Sequence, residues 1–109
     1  MDIYNELQYK IKVLDATIKE LTKTGREYAQ AEREYKIAIC KKALELKDSG
    51  MPVTLIQLVI YGYQEIATLR FKRDTAQVIY NANQEAINST KLEIRILQNQ
   101  IEKEYYNEQ

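Results

Sequence analysis

The chain has 109 residues, sixteen basic and sixteen acidic side chains, no histidine, three glycines and one proline. A net charge of zero gives no field that would gather nucleic acid or an anionic membrane, and the missing imidazole removes most hydrolase and nuclease templates. The glycines stand singly at 25, 50 and 62, so there is no phosphate-cradling loop, and no catalytic residue, cofactor or metal site is expected.

The first predicted element is a long helix over residues 2–48. Asp2 serves as its N-cap, and Gly50 supplies the left-handed residue that stops it. Alternating steps of four and three pick out Leu7, Ile11, Leu14, Ile18, Leu21, Gly25, Tyr28, Glu32, Tyr35, Ile39, Lys42 and Leu46 as one stripe. After Gly50, Pro52 disfavours helix at Met51, and Thr54 with Gln57 three residues on reads as a capping box, with Val53 and Leu58 as its hydrophobic staple. This opens a tip helix over 54–61, ended by Gly62. A third helix runs over 63–105 with the stripe Ile66, Leu69, Arg73, Ala76, Tyr80, Asn83, Ile87, Thr90, Ile94, Leu97 and Ile101.

Two such stripes joined by a breaker segment specify an all-α fold, a long antiparallel helical hairpin in a single domain over 1–109. Matching the stripes across the tip sets Leu46 beside Ile66, Ile39 beside Arg73, Tyr28 beside Asn83, Leu21 beside Thr90 and Leu14 beside Leu97. Two helices do not enclose a core, and apolar residues also flank both stripes, among them Tyr9, Val13, Ile37 and Cys40 on the first helix and Phe71, Val78, Ile79, Leu92 and Ile96 on the third. A homo-oligomer is therefore expected, most simply a dimer forming a four-helix bundle. The longest apolar stretch, Val53 to Tyr63, is too short to cross a bilayer, and Asp2 and Glu6 stand where a secretory leader needs a basic end and an apolar run. The expected location is the cytoplasm, with no membrane partner.

Three constellations carry functional readings. Both stripes turn polar in the middle, where Tyr28, Glu32, Tyr35, Arg73, Tyr80 and Asn83 form a central layer. Its Glu32–Arg73 pair either fixes register or joins the tyrosines in holding a small anionic ligand such as a nucleotide. Leu55, Leu58, Val59 and Tyr61 make the tip helix almost wholly apolar, a surface for self-association or for docking a protein partner. Lys41, Lys42, Lys47, Arg70 and Lys72 cluster near the tip as possible phosphate contacts, or as solvated charge balanced by Glu45, Asp48, Glu65 and Asp74. Cys40, alone and on an apolar flank, reads as a small buried hydrophobe, and Tyr105 and Tyr106 as packing on Tyr4, Leu7 and Tyr9.

The run Leu14-Asp15, Ile18, Lys23, Gly25, Tyr28-Ala29, Glu32, Tyr35-Lys36, followed by Arg73-Asp74, Tyr80, Gln84-Glu85, Ile87-Asn88, Lys91-Leu92, Arg95 and Gln100-Ile101, resembles a group of small helical proteins from the early regions of phages and prophages of Gram-positive hosts. The resemblance implies a phage accessory protein acting inside the host cell, and it carries over no functional residues. The expected function is non-enzymatic: a protein that oligomerises and binds a protein partner, either a host or defence factor that it inhibits or a component of phage recombination. Nucleic-acid binding through the tip cations and capture of an anionic ligand in the central layer are the alternatives.

Overall fold

The helix boundaries follow from their caps. The Asp2 carboxylate accepts a hydrogen bond from the Asn5 backbone N–H at 2.9 Å, satisfying one of the first-turn donors, and α1 (Ile3–Asp48) begins at the next residue. At the other end Gly50 has φ +94°, the left-handed conformation that a side chain resists. There the Met51 N–H reaches the Leu46 carbonyl at 3.1 Å and the Gly50 N–H reaches Lys47 at 3.0 Å, which is a Schellman closure. The computed structural model describes residues 2–107, and its remaining elements are α2 (Val53–Val59), a 3₁₀ turn (Ile60–Gly62) and α3 (Gln64–Asn107). The fold is an all-α helical hairpin, with no strand among the described residues.

The tip begins differently from its sequence signals. Pro52, extended at φ −62° and ψ 144°, is itself the N-cap, and its carbonyl accepts the N–H groups of Leu55 and Ile56, both at 3.0 Å. Thr54 lies inside the helix and makes no cap, because the proline ring already fixes the entry angle that a capping box would provide. Val53 and Leu58 are both exposed, so no buried staple joins them. Helix α3 then starts one residue after Tyr63, whose carbonyl accepts the Ala67 N–H at 2.9 Å.

The chain divides into two compact units, one from residues 2–24 and 80–107, the other Gly25–Ile79; residues 1, 108 and 109 of the expected domain lie outside the described residues. In Gly25–Ile79 the last turns of α1 are covered by the tip: Leu46, Ile56 and Ile60 form a buried cluster on which Ile39, Ala43, Met51 and Tyr63 pack. Leu46, Ile56 and Ile60 each contribute on the order of 1.5 to 3 kcal/mol. Because the tip occupies those turns, α3 comes alongside α1 only further back. Lys42 bonds Glu65 at 3.2 Å and lies 4.3 Å from the Tyr63 ring centroid, and Arg73 meets Glu32 and Tyr35 rather than Ile39. In the other unit Lys10 pairs with Glu93, and Asn83 bonds Thr24 and the Thr17 carbonyl.

Burial along α3 follows the predicted stripe. Ile66, Leu69, Arg73, Ala76, Tyr80, Asn83, Ile87, Thr90, Ile94, Leu97 and Ile101 are buried or half-buried, and every other residue of this helix is exposed. On α1 the stripe slips by one residue at three places: Thr24 and Ala31 are the buried positions where Gly25 and Glu32 were expected, and Thr17 is more covered than the exposed Ile18. Cys40 is exposed rather than buried. Tyr105 and Tyr106 meet each other edge to face at 5.7 Å and stay exposed, as do Tyr4 and Tyr9.

Candidate interaction surface

Of the expected central layer, Glu32, Tyr35 and Arg73 meet within Gly25–Ile79. In Gly25–Ile79 the Arg73 guanidinium donates to Asp74 at 2.7 Å and to Glu32 at 3.3 Å, and it lies over the buried Tyr35 ring with its carbon 4.8 Å from the centroid. The hydrogen bond to Asp74, then that to Glu32, raises the Arg73 pKa above its ordinary value, against the opposing effect of burial. Arg73 Nε and Nη1 and one face of the Tyr35 ring are thus engaged by this chain's own groups. Tyr28 is half-buried in the same unit.

Asn83 belongs to a separate polar cluster in the other unit, where Tyr80 is half-buried. Its carbonyl oxygen accepts from the Thr24 hydroxyl at 2.8 Å and its amide donates to the Thr17 backbone carbonyl at 3.1 Å. Thr24 is nearly fully buried, so the pair is a directional contact inside the helix seam, the kind that fixes register between helices. Sequence reasoning missed Thr17 and Thr24. The available signal was their seven-residue spacing with Ala31, one position to the side of the stripe drawn through Ile18, Gly25 and Glu32.

The tip cations are mostly engaged. Lys42 bonds Glu65 and lies 3.6 Å from Glu45, and the Glu65 hydrogen bond raises its pKa. Lys72 bonds Glu34 at 3.0 Å, which lowers the Glu34 pKa. Arg70 stacks on Tyr61 with 5.4 Å from its guanidinium carbon to the ring centroid. Lys41 and Lys47 are exposed. Interleaved acids leave little unbalanced positive charge for a phosphate backbone.

The apolar tip is where the side chains turn outward. With Ile56 and Ile60 committed to the cluster beneath, helical geometry points Leu55, Leu58 and Tyr61 away from it: Leu58 is 80 % exposed and the other two are exposed, while Val59 is half-buried. No group of three or more potential metal-ligating side chains occurs among the described residues, and no helix is long and apolar enough to cross a membrane. No family model, curated protein or solved structure matches this chain.

Proposed function

We propose that the protein is a non-enzymatic helical interaction protein, a phage accessory protein of the kind its sequence resembles, that oligomerises and acts by binding a protein partner through its tip. The partner class is a host or defence factor that it inhibits, or a component of phage recombination. The observation that carries this reading is Leu58, a large aliphatic side chain left 80 % exposed between Leu55 and Tyr61 on a helix pinned from below by Ile56 and Ile60. Adjacent apolar side chains held outward on an anchored element cost solubility unless something covers them, and they fill a complementary pocket at little cost in ordering.

The charge pattern supports protein over nucleic acid as the partner. Lys42 and Lys72 are in ion pairs within the chain, and stripping those acids from them would offset much of what a phosphate contact contributes.

The test is capture from nuclease-treated lysate of phage-infected host with wild-type and Leu58→Glu baits. One stoichiometric protein held by the wild type and lost from the variant, with helical content unchanged, is the expected result. Identical captures on both baits, or, in a parallel capture without nuclease, DNA retained equally by both and released by salt, would overturn the reading.

A further inference from the structure

Beside the tip, the unit Gly25–Ile79 carries a second apolar feature, a groove of about 380 Å³ between α1 and α3. Ala31, only 2 % exposed, and the half-buried Ala76 leave it shallow, while Phe71 and Ile79 stand exposed along it. Phe71 is 73 % exposed and the adjacent Val78 67 %. Phe71, Thr75 and Ile79 are spaced by four and form one ridge on α3, large, small and large.

We infer that this ridge and groove form the contact between two copies of the chain, packed with their α3 helices antiparallel about a twofold axis near Thr75. This deepens the oligomerisation part of the proposed function and does not depend on the tip partner. Three observations select a second copy as the occupant. A twofold interface needs a patch that complements itself, and here a protruding ring lies next to the depression that could receive it. With Thr75 on the axis, Phe71 of each copy falls opposite Ile79 of the other, since the two lie four residues to either side. Charge agrees: the groove is bordered by one acid, Glu27, and one base, Lys72, and Lys72 is already neutralised by Glu34, so the patch selects neither an acidic nor a basic partner. The chain's zero net charge adds no repulsion between copies.

The test combines mass and cross-linking in the full-length protein. Light scattering at micromolar concentration is expected to give twice the chain mass for the wild type and a twofold lower mass for Phe71→Glu, with unchanged circular dichroism because Phe71 is exposed. In a Cys40→Ser background, Thr75→Cys is expected to form an intermolecular disulfide on mild oxidation, and Leu58→Cys is not. A monomeric wild type overturns the inference and leaves the tip reading to its own capture experiment. A dimer that survives Phe71→Glu, or that cross-links through Leu58→Cys and not through Thr75→Cys, overturns it by moving the contact to the tip.

Discussion

Gly50 and Gly62 flank the tip and look equivalent in sequence, yet their backbones ask for different things. Gly50 sits at φ +94° and closes α1 through the Met51 and Gly50 N–H groups, whereas Gly62 has an ordinary negative φ, and neither has an atom within 4 Å of where a Cβ would stand. Alanine at 50 therefore meets no steric neighbour, but it must either adopt the left-handed region or open the closure, at a cost of about 1 to 2 kcal/mol. Alanine at 62 fits as it is and removes freedom from the unfolded chain, a gain of about 0.4 to 1 kcal/mol. Urea unfolding of the two variants checks this directly: Gly50→Ala is expected to lower the midpoint and Gly62→Ala to raise it. Equal shifts would mean that α1 does not depend on the left-handed closure for its end.

At the scale of elements, the seam between the long helices is specified by size as much as by hydrophobicity. Thr17, Thr24 and Ala31 present small side chains at seven-residue intervals on α1, and Thr24 is close enough to α3 for its hydroxyl to bond Asn83 at 2.8 Å. A double-mutant cycle with Thr24→Val and Asn83→Ala is expected to give a coupling of about 0.5 to 1.5 kcal/mol by thermal or urea unfolding, with Asn83→Ala alone destabilising by a similar amount, because the Thr24 hydroxyl loses Asn83 and keeps only the longer bond to the Leu21 carbonyl at 3.3 Å. A coupling near zero would show that the contact carries no register information. The same small residues explain where sequence reasoning ran short. The α3 stripe was legible at all eleven positions because its four-three alternation is anchored by Ile66 and Leu69 at one end and by Ile94, Leu97 and Ile101 at the other, and holds its phase through the polar middle. On α1, Ile18 is more hydrophobic than Thr17 and drew the stripe one residue aside, although the packed helix needs the smaller residue against its partner. Matching the stripes across the tip likewise leaves out the turns of α1 that the tip covers through Ile56 and Ile60. Of the candidate site, the Glu32–Arg73 pair and the outward face of the tip were visible in residue type and spacing. The Asn83 contacts were not, because a hydroxyl partner on the far helix leaves no mark in either helix's own periodicity.

For the molecule as a whole, the absence of histidine shapes how stability responds to pH. The displaced titrations lie at the two ends of the scale. The Lys72 ammonium hydrogen-bonded to Glu34 lowers that carboxyl, while the Glu93 and Glu65 carboxylates raise Lys10 and Lys42 respectively. A carboxyl lowered on folding contributes stability that is present above its unfolded value and lost as pH falls through the folded one. A lysine raised on folding contributes stability that is fully present below its unfolded value and lost as pH rises through the folded one. The melting temperature is therefore expected to hold a plateau between about pH 6 and 9, inside the ordinary carboxylate and lysine values, and to fall on both sides. Glu34→Gln is expected to lower the plateau slightly and to flatten the acid limb, since Lys72 then has no carboxylate there to lose. Salt at neutral pH should act in the same direction as that variant, because each of the three pairs has at least one solvent-exposed partner and is screened through it. Thermal melts across pH, with and without the substitution and at low and high salt, check the argument. A transition centred near pH 7 would contradict it, since none of these three pairs titrates there. An acid limb unchanged in Glu34→Gln would move the source of acid sensitivity to other carboxylates of the helix faces.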